Sequence, residues 1–417
     1  MKILRLPSYF YPEQVSSSHL SLDLYNAYKE EGFVTELYVP TPSRGVDDNT
    51  RKKYSKIKYE EMYDSSVKVH RFSMFREGRN PVLRAFRYSL VILVQFYKGL
   101  RAKGIDVISL GSTPPILGIT GSLLKKLLSH KYKKNVPFVY TVNDVFPDSM
   151  VNAGLTRKGS LLWKIGNCVA KYIYKNADAI VVISKNIKSN LVAKGVPDDK
   201  IEVIYNWIDT DEVINIPRKD NCLFDELSLS RDPFYVTYAG NLGAAQGIDT
   251  IIQAASLLKD HDDIHFVIFG DGVESEKVKG AAASLNNLSL FPFQPLSKVS
   301  QVYSLGDVSV VACKKGIGIG AFPSKTFSIL ATATPVLLSF DKNTELWDLI
   351  KDNDCGYVAD ADNADALAEQ VLNAYNDRAL LKIKGNNARD LAVNAFSKTN
   401  MTKRHIDMLK RIVYSNN

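Results

Sequence analysis

Short apolar runs rich in Val, Ile, Phe and Tyr alternate with amphipathic stretches along nearly the whole chain, and the series occurs twice. No other feature constrains the fold as much. A β-rich run followed by a loop and a helical stretch is the repeating unit of a parallel sheet covered by helices. The first series has strand candidates at Lys2–Leu6, Thr35–Val39, Val67–Arg71, Val107–Leu110, Phe138–Val142, Ala179–Ile183 and Ile201–Ile204, with a helix from about Ser18 to Gly32. The stretch 206–232 is polar, carries Pro217 and has weak periodicity, so it reads as a linker. The second series has strands at Phe234–Ala239, His265–Phe269, Leu288–Phe291, Val308–Val311 and Pro335–Leu338. Its helices fall at Ile248–Leu258, Ser297–Tyr303, Ser324–Ala333 and Ala364–Tyr375. The expected class is α/β, with doubly wound domains at 1–205 and 233–396 and a last helix in 397–417. Ligand sites then lie at the carboxyl ends of strands, facing a cleft.

A chain of 417 residues can bury two such cores without disulfides or metals. Cys168, Cys222, Cys313 and Cys355 are far apart and form no C-x-x-C pair, so neither a disulfide scaffold nor a cysteine zinc site is expected. The histidines lack H-E-x-x-H spacing, and no metal site is expected. The start lacks the apolar core of a signal peptide, and no apolar run approaches the ~20 residues of a membrane span. A cytoplasmic location follows as the expectation. The net charge of +8 is concentrated: residues 68–103 hold nine Lys and Arg and one acid, Glu77. With no nucleic-acid-reading module beside it, that zone points to one specific surface and not to a nucleic-acid partner.

Loops after strands carry the chemistry. Gly240-Asn241-Leu242-Gly243-Ala244-Ala245-Gln246-Gly247 joins a strand to a helix. Its glycines let backbone approach an anion and the helix start attracts one, although glycine equally serves a tight turn. Gly316-Ile317-Gly318-Ile319-Gly320-Ala321-Phe322-Pro323-Ser324-Lys325 runs three alternating glycines into a proline suited to a first helical turn. Lys325 there opposes the helix dipole unless an anion is present. A diphosphate held by amides, the Ser324 hydroxyl and Lys325 is therefore expected, with a solvated surface lysine as the plain alternative. In the first series Asn143 and Asp144 end a buried run, where a carboxylate can orient an acceptor hydroxyl or stabilise positive charge. Asp148 reads equally as a helix cap. Ser16 and Ser17 in the opening loop can hydrogen-bond a sugar. Glu345 begins a helix, a favourable place for a carboxylate that contacts ribose or sugar.

Gly240-Asn241-Leu242-Gly243 with Gln246-Gly247, Phe269-Gly270-Asp271-Gly272, Pro323-Ser324-Lys325, Ala331 with Thr334-Pro335-Val336, and Asn353–Val358 together resemble retaining glycosyltransferases of family four. The resemblance covers nearly the whole chain and is nearest to fucosaminyltransferase-like enzymes of bacterial cell-surface polysaccharides. It implies a GT-B fold, with two Rossmann-like domains, the nucleotide sugar on the second and the last helix crossing back to the first. Asn241, Gly243, Gln246 and Lys325 would surround the donor diphosphate, and Gly240, Gly270 and Ser324 would belong to the same donor site. Phe293 and Pro295 would receive the nucleobase. Asp144 would line the acceptor side, with Asn143 where many relatives carry a histidine. Many relatives place Arg and Lys at Asn241 and Gln246, which leaves Lys325 as the main cation here. Their paired glutamates fall on Gly320 and Ser328, so Glu345 would compensate, and their first-domain glycine pair is replaced by Val15-Ser16-Ser17.

The reaction implied is metal-independent, retaining transfer from a nucleoside diphosphate sugar, without a further cofactor. The acceptor would be a polyprenyl-diphosphate-linked saccharide, in capsule, O-antigen or exopolysaccharide synthesis. A sugar-nucleotide 2-epimerase of the same fold remains an alternative, distinguished by turnover of donor without acceptor. A non-catalytic assembly partner is another, distinguished by failure to bind sugar nucleotides. Finally, Arg79, Arg84 and Arg87 flank the apolar run Leu90–Val94. As a helix this segment has an apolar side and a basic margin, the signature of a peripheral contact with the anionic inner face of the cell membrane.

Overall fold

Each strand run is apolar on both faces because helices cover both sides of the sheet it joins. The computed structural model describes residues 1–13, 18–78, 80–152 and 154–414. The chain divides into two units: Met1–Tyr205 with the residues from Thr402 on, and Asn206–Met401.

The first unit is built on β1 (Lys2–Arg5), β2 (Val34–Pro40), β3 (Tyr59–Met62), β4 (Val67–Phe72), β5 (Val107–Gly111), β6 (Phe138–Val142), β7 (Ala179–Val182) and β8 (Ile201–Val203). They form one sheet in the order β3-β4-β2-β1-β5-β6-β7-β8, parallel except that β3 runs antiparallel to β4. The strand order reverses between β1 and β5. The last helix, Lys398–Tyr414, joins this unit from Thr402 onward, and the buried His405 lies 3.0 Å from the Tyr28 hydroxyl.

The second unit holds β9 (Phe234–Ala239), β10 (Ile264–Phe269), β11 (Leu288–Phe291), β12 (Val308–Ala312), β13 (Val336–Phe340) and β14 (Gly356–Asp360). All are parallel, in the order β11-β10-β9-β12-β13-β14. The order is that of a nucleotide-binding doubly wound sheet, and it reverses between β9 and β12, where such sheets take ligands at their carboxyl ends.

Two strands had no sequence signal. β3 is an edge strand of largely charged, half-exposed residues, and β14 is an edge strand that starts on glycine. The stretch 206–232, expected as a linker, is instead built into the second unit. Leu223 and Phe224 are fully buried in a cluster with Tyr235, Val267 and Phe269, and Arg218 pairs with Asp307. Its polarity reflects specific partners, not solvent. No helix among the described residues is long and apolar enough to cross a membrane.

Candidate active site

Backbone packing at the carboxyl edge of the second sheet creates the site. Beyond β9 the chain turns through Gly240, whose φ of +151° is one that side-chain-bearing residues rarely adopt. Gly270, after β10, approaches so closely that a Cβ would stand 2.1 Å from the Gly240 carbonyl oxygen. A Cβ on Gly272 would stand 2.5 Å from that of Leu242. The Leu242 N–H donates to the Asp271 carbonyl and the Glu274 N–H to the Leu242 carbonyl, both at 2.9 Å. A third loop is tied in by the Lys314 N–H, which donates to the Ala245 carbonyl at 3.0 Å.

Lys325 opens the helix Lys325–Ala331 and sends its side chain back to the first of these loops. Its ammonium is 3.8 Å from the centroid of the Tyr238 ring and 2.7 Å from where a Cβ on Gly240 would be. Nζ is covered from solvent and has no hydrogen-bond partner among the described residues. Burial alone pulls its pKa down to about 7. The ring face attracts the cation, but a buried ammonium without hydrogen bonds remains costly. An anionic oxygen brought against Nζ would offset that cost. The plain alternative, a solvated lysine on a surface helix, does not hold.

The glycine run before Lys325 departs from expectation. The Gly316 N–H donates to the Asp341 carboxylate (2.8 Å to Oδ1), and the Gly318 N–H donates to Oδ2 at 2.8 Å. The Lys315 N–H donates to Asp362 at 2.9 Å. These amides are therefore occupied by the protein's own carboxylates and do not belong to a diphosphate cradle. Their role is to fix the loop that leads to Lys325. Ser324 is exposed and makes no capping bond.

The structure thus brings together Gly240, Asn241, Gly243, Gln246, Gly270 and Lys325. The Asn241 side chain lies against Gly243 and Gly272, and Gln246 lies beside Gly243. Phe293 and Pro295 follow β11 at the same edge of the sheet, with Phe293 exposed. Glu345 opens the helix Glu345–Asp352 after β13. Tyr238 and Asp341 were not legible as site residues. An aromatic residue two positions before the glycine turn is the signal for the first, and Asp341 carries none that spacing reveals.

In the first unit Asn143 and Asp144 stand at the end of β6. The Asn143 N–H donates to Ser112 Oγ at 3.1 Å, and Asp144 is exposed. Asp148 opens a short helix and pairs with Lys194 at 2.6 Å, so its place is structural. Ser16, Ser17 and Arg79 lie outside the described residues. Arg87 is not at a surface. It is fully buried, donates from Nε to the Phe75 carbonyl at 3.0 Å and faces Glu77. Arg87, Val91 and Gln95 follow one another at intervals of four, and this face of the helix Pro81–Arg101 is the one turned inward. Arg84 pairs with Glu77 at 3.2 Å.

Comparison with known proteins agrees with this fold. Anabaena Alr3699/HepE, solved in complex with UDP, superposes with a TM-score of 0.72 over 98% of this chain and 100% of its own, at 15% identity. The architecture is that of the GT-B glycosyltransferases, two Rossmann-like parallel-sheet domains. Residues 222–391 match the family described as glycosyl transferases group 1, and residues 20–212 match glycosyltransferase family 4. The probable glycosyltransferase WbjE of Pseudomonas aeruginosa is 28% identical over 301 residues, 72% of each chain. The putative colanic acid biosynthesis glycosyl transferase WcaI of Escherichia coli is 25% identical over 279 residues, 65% of this chain and 67% of that one. The two matches together span most of this chain, which is a glycosyltransferase of the group 1 and family 4 type.

Proposed function

We propose that this glycosyltransferase moves a sugar, with retention, from a nucleoside diphosphate donor at the carboxyl edge of the second sheet to a saccharide acceptor carried by the first domain. The product would be a bacterial cell-surface polysaccharide, and the acceptor a polyprenyl-diphosphate-linked saccharide. The observation that carries the donor assignment is Lys325: a covered, unpartnered ammonium against Tyr238 and Gly240, at the point where the strand order reverses. UDP in the HepE structure and colanic acid synthesis in the name of WcaI support the donor class and the pathway class. Negative charge grows on the diphosphate as its bond to the sugar breaks, and a cation already in place stabilises it without reorganisation. Lys325 would thereby stand in for a metal ion.

Titration of donor binding tests this assignment. With the Lys325 pKa at about 7 before binding, a diphosphate favours the protonated form, so binding takes up a proton above pH 7. Donor affinity should be flat at lower pH and weaken towards tenfold per pH unit above 7. Calorimetry in buffers of different ionisation enthalpy would show the proton uptake. A pH-independent affinity from 6 to 9 would remove Lys325 from the diphosphate. Asp144→Asn should leave donor affinity unchanged and slow transfer at least tenfold, because Asp144 lies on the first domain and serves the acceptor. An equal loss of donor binding would contradict that role.

A position at the inner face of the membrane belongs to the same proposal, without the buried Arg87. On the helix Pro81–Arg101, Leu83, Phe86, Leu93 and Tyr97 are exposed on one stripe, and Leu123 and Leu127 are exposed on the helix Leu117–Tyr132 packed against it. Exposed apolar surface of this extent marks an interaction face. Lys98, Arg101 and Lys126 lie in the same two helices. Sedimentation with anionic vesicles should fall when Leu83, Phe86 and Leu93 become serine and should weaken with salt, while Arg87→Gln acts only through stability. Equal binding to neutral vesicles would overturn the electrostatic part.

A further inference from the structure

We propose that the first domain carries a second ligand site, one for an anionic saccharide. A cavity of about 460 Å³ opens there beside the helices Leu161–Asn176 and Lys185–Ala193. Its volume falls within the roughly 300–1,000 Å³ of small-ligand sites.

The wall chemistry selects the ligand. Lys158, Lys171 and Lys194 line the cavity with a single acid, Asp148. Asp148 is already paired with Lys194 at 2.6 Å. Lys158 and Lys171 are exposed and have no ion pair among the described residues, so the cavity keeps an uncompensated positive charge. An ammonium pairs best with a carboxylate or phosphate oxygen. Trp163 forms another part of the wall, and its indole N–H is covered and has no acceptor among the described residues. Buried indole N–H groups normally find one. Asn167 donates its Nδ2 to the Trp163 carbonyl at 3.0 Å, which leaves its Oδ1 for another partner, and the exposed Asn190 lies alongside.

A flat aromatic surface, two side-chain amides that both donate and accept, and two free cations suit a hydroxyl-rich ring bearing an acidic group. Asp148 lies four residues beyond Asp144, so the cavity adjoins the loop that follows β6. That the occupant is part of the acceptor rests on the transferase reading above; the existence of the site does not.

Calorimetric titration of the full-length protein, without donor, tests the site. The probes are a glucuronic-acid-containing disaccharide, glucose 1-phosphate and neutral maltose. At least one acidic probe should bind tenfold or more tighter than maltose, and which one binds identifies the acid as carboxylate or phosphate. The double variant Lys158→Gln, Lys171→Gln, altered only at exposed positions, should weaken that binding at least tenfold. Trp163→Phe should weaken it further, while Lys325→Ala should leave it unchanged. Binding of neither acid, equal binding of maltose, an unaffected double variant or displacement by UDP would each overturn the proposal. Donor binding and its loss in Lys325→Ala are measured separately, so failure here leaves the donor assignment standing.

Discussion

Lys325→Ala is expected to lower turnover about a hundredfold or more, the effect of removing one preorganised group that stabilises transition-state charge. That is roughly 2.7 kcal/mol of lost stabilisation. The loss should be large because Lys325 is the cation lodged against Gly240, and the loop positions Asn241 and Gln246 that follow it are both uncharged. Lys325→Arg should not restore the rate. The ammonium already stands 2.7 Å from where a Gly240 Cβ would be and 3.8 Å from the Tyr238 ring centroid, and the bulkier guanidinium, with its different donor geometry, would not place a nitrogen at the same point. Stability should not fall, since the variant removes a buried, unpaired charge. Chelators should leave the wild-type rate unchanged. Steady-state rates with melting curves on the same samples check all four expectations. A stable Lys325→Ala enzyme with near-normal turnover would refute the diphosphate role, and strong inhibition by chelators would refute metal independence.

Gly270→Ala should damage the second domain and its donor site together. The added methyl would begin 2.1 Å from the Gly240 carbonyl oxygen, a backbone atom that cannot rotate away. Overpacking of this kind typically costs about 1–3 kcal/mol. In a domain of this size each kcal/mol lowers the melting temperature by roughly 2–4 °C. Displacing the Gly240 carbonyl also shifts the turn on which the Lys325 ammonium rests, so donor affinity should fall at least tenfold. Gly280→Ala supplies the control. Gly280 lies within the helix Ser275–Ser284 with nothing near its missing Cβ, and alanine there should be neutral or add up to about 1 kcal/mol. Thermal melting and donor titration of the two variants decide the matter. Unchanged affinity in Gly270→Ala would mean that the interlocked loops do not shape the site.

These two expectations show how unevenly the site could be read from residues alone. Lys325 stood out because a cation in a first helical turn conflicts with the dipole, and that conflict is local. The crowding at Gly270 is not local, because the clashing atom is thirty positions away on another loop. The same contrast holds for Arg87. In sequence it joined a basic margin, yet its partners, Glu77 and the Phe75 carbonyl, are reached only when the loop after β4 folds over the helix.

What the sequence determined by itself was the class of fold, most of the strands and the loops that carry the chemistry. Burial on both faces leaves an apolar run visible in any register, and glycine at a strand end is a local demand of the backbone. The tertiary structure alone decided which amides were free. Asp341 and Asp362 fill the glycine turn at Lys315–Gly318, whereas the Lys325 ammonium is left without a hydrogen bond. Both outcomes depend on which side chains arrive from neighbouring strands. That arrival is fixed by strand order, and strand order is a property of long-range pairing that no local pattern encodes.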